Sequence, residues 1–194
     1  MTRTTDRAVS PQFLARWSPR AFDGSAVDEG DLLTLFDAAR WAPSAYNYQP
    51  WRFVWAQRDD AGWNDLLGLL LPFNAAWARE AGALVFVLSD RQILAPGASE
   101  PQEATTASFD AGAAWALLAL QAETLGLATH AMAGFDHARA PEVLGAGDRF
   151  KVEAAIAIGR RGDKAQLPET LQAREVPSPR KDVHEFAFAA RLPG

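Results

Sequence analysis

Between Asp31 and Trp41 the apolar residues Leu32, Leu35, Phe36 and Ala39 recur at i, i+3, i+4 and i+7, the spacing that lines one face of a helix. Asp28 is placed to cap that helix and Pro43 to stop it. A polar turn, Ser44 to Gln49, then leads into Trp51-Arg52-Phe53-Val54-Trp55, whose aromatic and β-branched content predicts a strand. A second helix is predicted over Gly62–Leu71 and a short one over Asn74–Ala81, with a break at Pro72. Ala83–Leu88 is apolar without interruption, the pattern of a strand covered on both faces. From Ile93 to Thr105, Pro96, Gly97 and Pro101 punctuate a stretch poor in apolar side chains, which predicts a mobile loop that shapes access to a site. Ser108–Leu125 is apolar on nearly every face, through Phe109, Ala113, Trp115, Leu117, Leu118 and Leu120. Such a helix belongs in a core or at a subunit interface. Gly126 ends it, and a strand at Ala128–Met132, a turn at Ala133-Gly134-Phe135-Asp136 and a last core strand at Val152–Ile158 follow. Beyond Arg160 periodicity is lost. Pro168, Pro177 and Pro179 space out a tail expected to run over a surface, its own or a partner's.

This order of elements suits a layered α+β sandwich, and the length of 194 residues favours one domain spanning 1–194. No internal repeat is visible, and neither GxGxxG nor GxxxxGK[ST] occurs, so a Rossmann turn and a P-loop both lack their signal. A net charge of −5 argues against a broad surface for nucleic acid or anionic membrane. The chain has no cysteine, which removes disulfides and thiol chemistry, so redox work would need a borrowed cofactor. His130, His137 and His184 are dispersed and show no metal-site spacing. The polar stretch Met1 to Ser10 lacks the apolar segment of a signal peptide, which leads to the expectation of a cytoplasmic protein.

Two constellations carry candidate chemistry. Arg16-Trp17-Ser18-Pro19-Arg20 sets two guanidinium groups and a hydroxyl within five residues. Their planar forks suit a phosphomonoester, which carries about −1.5 to −2 charges at pH 7; a solvated basic turn is the plainer alternative. Pro43-Ser44-Ala45-Tyr46-Asn47-Tyr48-Gln49-Pro50 packs polar side chains between stiffening prolines. Its amides complement a heterocycle edge of alternating C=O and N–H groups, although an ordinary Asx or Ser turn accounts for it equally well.

Taken together, RWSPRAF (Arg16 to Phe22), APSAYNYQPWRF (Ala42 to Phe53), Asn74, the stretch Phe109 to Asp136 ending in GFD, AIGRRGD (Ala157 to Asp163) and PSPRKDVHEF (Pro177 to Phe186) resemble the nitroreductase family of FMN-dependent enzymes. The resemblance runs in order from about Arg16 to Arg191. It implies an α+β three-layer sandwich with a central mixed or antiparallel sheet and a long buried central helix. It also implies a homodimer with FMN at the subunit interface and a C-terminal arm, from about residue 165, extending over the partner. On this resemblance Arg16, Trp17, Ser18 and Arg20 hold the phosphate end with Ser178 and Arg180, and Arg20 also approaches the pyrimidine edge. Pro43, Ser44 and Ala45 come from the other subunit, with Asn47 and Gln49 ordering that loop or touching the cofactor. Asn74 pairs with the pyrimidine edge, and the backbone of Ala133 and Gly134 faces flavin N5.

The implied activity is reduction of nitroaromatics, quinones or enones by NAD(P)H in ping-pong order, with no protein nucleophile. Tyr46, Tyr48 and Trp77 are candidate substrate contacts. Trp77 stands where some relatives carry a lysine, which keeps open an oxidase or flavin-modifying role; an FMN carrier or sensor, and a purely structural protein, are further readings.

Overall fold

The computed structural model describes residues 3–193. Its regular elements are α1 (Pro11–Ala15), α2 (Glu29–Ala39), β1 (Trp51–Gln57), α3 (Trp63–Leu67), α4 (Pro72–Ala78), β2 (Ala83–Asp90), β3 (Gln92–Ile93), β4 (Gln102–Glu103), α5 (Ala107–Thr124), β5 (Ala128–Met132), α6 (Ala140–Val143), β6 (Phe150–Gly159) and α7 (Glu169–Gln172). The main sheet has the order β1-β2-β6-β5, and every neighbouring pair is antiparallel.

All eight residues of β2 are buried, and their alternation builds two cores. Ala83, Val85 and Val87 pack with Leu32, Leu35 and Ala39 of α2 and with Ala111, Ala114 and Leu118 of α5. Leu84, Phe86 and Leu88 pack with Trp63 and Leu66 of α3, Trp77 and Ala78 of α4, and Phe135. The chain is therefore three layers with an antiparallel sheet in the middle. No described helix is long and apolar enough to cross a membrane.

Local chemistry shifts several boundaries from those the pattern predicts. Asp28 does cap α2, accepting from the Gly30 N–H at 2.7 Å, so the helix starts at Glu29, two residues before the periodicity. Pro72 opens α4 instead of interrupting it, because proline at a first helical position loses no hydrogen bond. The helix predicted over Gly62–Leu71 stops at Leu67, since Leu70 bridges to Phe135 and the Leu71 N–H is taken by the Gly134 carbonyl at 3.0 Å. Within the predicted loop, β3 and β4 form a two-stranded ribbon.

Within the single protomer two further features stand out. The surface of α5 is not covered all round: Phe109 is 82% exposed in the protomer, and Gly112 and Ala116 are exposed beside it. The tail stays packed on its own protomer beyond residue 165. Leu167 and Leu171 sit in the core and Glu175 is buried, so the extended, largely exposed part begins at Val176.

Candidate cofactor site

The segment after α1 cannot continue as a helix because Arg16 is already extended (φ −65°, ψ 124°). Three elements then fix its backbone. The Pro19 carbonyl lies 2.9 Å from His130 Nδ1 on β5. Glu175 Oε1 accepts from the N–H groups of Arg20 (2.6 Å) and Ala21 (2.9 Å). Phe22 bridges to Arg161 at the end of β6, with Asp23 N–H donating to the Arg160 carbonyl and Gly162 N–H to the Ala21 carbonyl.

With its backbone held, the segment lines a cavity of ≈ 250 Å³ together with residues distant in sequence. Arg16, Trp17, Ser18 and Arg20 meet Arg3, His130, Arg174, Ser178 and Arg180 there. Five guanidinium groups converge, and none of the five forms an ion pair among the described residues. Arg3 instead donates to the carbonyls of Ser178 and Arg16, and Arg180 to that of Pro179. Burial, and after it the charge of Arg180, holds the guanidinium groups of Arg3 and Arg16 below their ordinary pKa. Glu175 and Glu123 act on Arg20 and Arg16 only from beyond ion-pair contact, so the excess of like charge favours a multiply charged anion.

His130 separates this cavity from the core. Its Nδ1 must carry the proton, because a carbonyl only accepts, and its ring packs on Trp77 at 4.7 Å between centroids. Burial, aided by the charges of Arg20 and Arg16, pushes its pKa down to about 4 against the opposing pull of the Pro19 and Ser18 carbonyls. The imidazole is thus neutral at pH 7 and adds no sixth positive charge. An unfolded His130 takes up a proton near pH 6.5 and the folded one resists until about 4. Its contribution is therefore complete above pH 6.5 and is lost as pH falls through that window, by at most about 3 kcal/mol. His130→Asn should flatten the urea midpoint between pH 6.5 and 5, above the range in which carboxylates protonate; an unchanged slope would remove His130 as its source.

Trp77 does not stand where a substrate could reach its face. It is 2% exposed, lying between Phe22 (6.3 Å between centroids) and His130, so its candidacy as a substrate contact is corrected to a packing role. Its Nε1 and the Nε of Arg20 are buried donors without an acceptor among the described residues. Both residues also line a larger, more apolar cavity of ≈ 510 Å³ against Phe73 of α4 and Leu167 and Leu171 of the tail.

Asn74, one turn before Trp77, donates through Nδ2 to the Gly134 carbonyl at 2.9 Å. A Cβ on Gly134 would stand 2.5 Å from that nitrogen, so only glycine allows this contact. The Ala133-Gly134 backbone lies at the end of β5, about 13 Å along the strand from His130 at ~3.3 Å per residue. Asn74, Ala133 and Gly134 are brought together on the same side of the fold as the arginines.

Pro43, Ser44, Ala45, Tyr46, Asn47, Tyr48 and Gln49 are elsewhere. Tyr46 (φ 50°), Asn47 (φ 56°) and Gln49 (φ 52°) all occupy the left-handed region, at a cost of order 1 kcal/mol each for non-glycine residues. The loop is held by Gln49 N–H to Ser44 Oγ (2.9 Å), Arg52 to the Gln49 carbonyl (3.0 Å), and Ala45 N–H to Asp110 Oδ2 (3.2 Å) in the first turn of α5. Tyr46 is 73% exposed. The arginine cluster lies at the other end of α5, where Glu123 pairs with Arg161 at 2.6 Å and Arg161 lies over the Trp17 ring. From Asp110 to Glu123 the helix runs about 20 Å at ~1.5 Å per residue, so the two groups stand near opposite ends of α5.

Sequence reasoning missed Arg3, Arg174, His130, Glu175 and Asp110. Arg174-Glu175 stands close to the singled-out Ser178 and Arg180, which was a usable signal; His130 and Asp110 sit inside regular elements and nothing local distinguishes them.

The nitroreductase family model matches residues 14–160. An NADH dehydrogenase of Thermus thermophilus is 31% identical over 190 residues, covering 84% of this chain and 91% of that protein. Among solved structures, an oxidoreductase containing FMN is 48% identical with a TM-score of 0.94 over 99% of this chain and 96% of its own. A Desulfovibrio desulfuricans protein described as a nitroreductase and solved in complex with FMN is 25% identical, with a TM-score of 0.72 over 97% of this chain and 100% of its own.

Proposed function

Because this chain belongs to the nitroreductase family, we propose that it is an FMN-dependent oxidoreductase in which NAD(P)H reduces electron-poor acceptors such as nitroaromatics, quinones or enones. The observation that carries the proposal is the convergence of five arginines, unpaired with any carboxylate, on one cavity. A phosphomonoester there supplies the missing counter-charge. Two further features fit the rest of the cofactor. The buried donors Arg20 Nε and Trp77 Nε1 lack acceptors, which a carbonyl-bearing ring edge provides. The Gly134 N–H meets no acceptor among the described residues, while the space a Cβ would fill there is taken by Asn74. Arg16, Ser18, Arg20, Ser178 and Arg180 would hold the phosphate end, and Asn74 and Gly134 the ring. What FMN supplies when bound is hydride uptake at N5 from the nicotinamide and its return to a second substrate after the first has left, a ping-pong order.

The same reading assigns Pro43, Ser44 and Ala45 to the site of a second copy, with Tyr46 and Tyr48 beside the acceptor. The distance along α5 supports this, as do Phe109 (82% exposed), Phe186 (63%) and Leu192 (73%), apolar side chains that a partner would cover. Phe109→Glu is expected to shift gel-filtration elution from dimer to monomer and to release bound flavin. A dimer of undiminished stability would place the interface elsewhere.

The decisive test is anaerobic titration of the purified protein with NADH and with NADPH, followed in the visible spectrum. A yellow protein bleached by one of them supports the reductase. A colourless protein that takes up no added FMN sinks the cofactor assignment, and a yellow protein bleached only by dithionite sinks the reductase.

A further inference from the structure

Outside the residues that would touch the flavin, one buried acid stands against the strained loop. Asp110 is 4% exposed in the first turn of α5, where the helix N-terminus favours a negative charge. Its Oδ2 accepts from Ala45 N–H (3.2 Å) and from Thr106 Oγ1 (3.2 Å). The first of these contacts joins the helix to the residue immediately before the left-handed Tyr46 and Asn47. Ser44 Oγ and Arg52 grip the far end of the same loop at Gln49, and among the described residues Asp110 supplies the side-chain hydrogen bond to its near end, just beyond the buried Ala42.

We infer that Asp110 is a positioning residue that sets Ser44 and Ala45 for the cofactor of the opposite protomer, acting through the loop and across the subunit boundary. This rests on the function proposed above. The carboxylate orients the loop through the Ala45 N–H. Its effect on cofactor binding therefore appears in the site built on the other chain's arginines.

The test uses Asp110→Ala, Asp110→Asn and Arg180→Ala in the full-length protein, with free FMN as the probe and quenching of flavin fluorescence as the readout. Asp110→Ala should weaken FMN binding about tenfold, the scale of one lost buried hydrogen bond. Asp110→Asn, whose amide oxygen still accepts from Ala45, should return to within about threefold of the unsubstituted protein. A differently tagged, co-expressed hybrid of Asp110→Ala and Arg180→Ala protomers should bind one FMN per dimer with full affinity. In that hybrid the arginines of the Asp110→Ala chain meet an intact loop from its partner. A hybrid with no tight site overturns action across the boundary. Unchanged affinity in the Asp110→Ala homodimer, or failure of Asp110→Asn to recover it, overturns the positioning role. Failure of the unsubstituted protein to bind FMN overturns the functional reading itself and this inference with it.

Discussion

Alanine at both Arg16 and Arg180 is expected to lower FMN affinity by about a hundredfold to ten-thousandfold, without lowering the urea midpoint of the flavin-free protein by more than a few tenths of a molar unit. Each guanidinium contributes a hydrogen bond to a charged acceptor, worth about 1.5–3 kcal/mol, and about 1.4 kcal/mol corresponds to a tenfold change in affinity. In the absence of an anion the same two groups repel. Arg180 is among the causes that depress the pKa of Arg16, and Arg16 has only a 3.3 Å contact with Ser18 Oγ to lose. The substitution thus separates binding from stability. Raising ionic strength should weaken FMN binding to the unsubstituted protein and affect the double variant less. Equal affinity in the two proteins would remove the arginine cluster as the phosphate site.

Gly162→Ala should act through the backbone. A Cβ at this position would stand 2.6 Å from both the carbonyl carbon and oxygen of Phe22 and 2.9 Å from the Asp23 nitrogen. No rotamer relieves a clash with main-chain atoms, so the crossing between the end of β6 and the segment after Arg20 must open. The expected cost is about 3 kcal/mol, at the upper end of ordinary overpacking, read as a fall in the denaturant midpoint. Because Gly162 N–H also anchors the Ala21 carbonyl, flavin affinity should fall in the folded fraction too. A midpoint within about 0.5 kcal/mol of the unsubstituted protein would show that the crossing yields easily.

How far the sequence discloses this architecture depends on whether a signal is local. β5 falls on the predicted Ala128–Met132, and α5 is within a residue of its predicted ends, because Gly126 stops the helix in a left-handed conformation (φ 70°) and the strand follows at once. α3 falls short of prediction because a tertiary event ends it: Leu70 leaves to pair with Phe135, which no window around Gly62–Leu71 contains. The site behaves the same way. Arg16, Ser18 and Arg20 are legible as a cluster because they fall within five residues, whereas Glu175 enters through a contact between segments 155 residues apart. Trp77 shows the opposite failure. Its place in an apparent binding motif gave no sign that Phe22 and His130 enclose it, since both arrive from other elements.

The placement of the arginine cluster and the loop around Ser44 at opposite ends of α5 has a consequence for how the protein would be charged with flavin. If the proposed dimer builds the site, a lone folded chain would own two half-sites and no whole one, and loading would be a three-body equilibrium between two polypeptides and their ligand. By mass action, diluting the holoprotein should strip flavin as the pairs come apart, and added flavin should shift the concentration at which pairs form by its own binding energy. A cell making little of this chain would then need a correspondingly higher flavin level to load it.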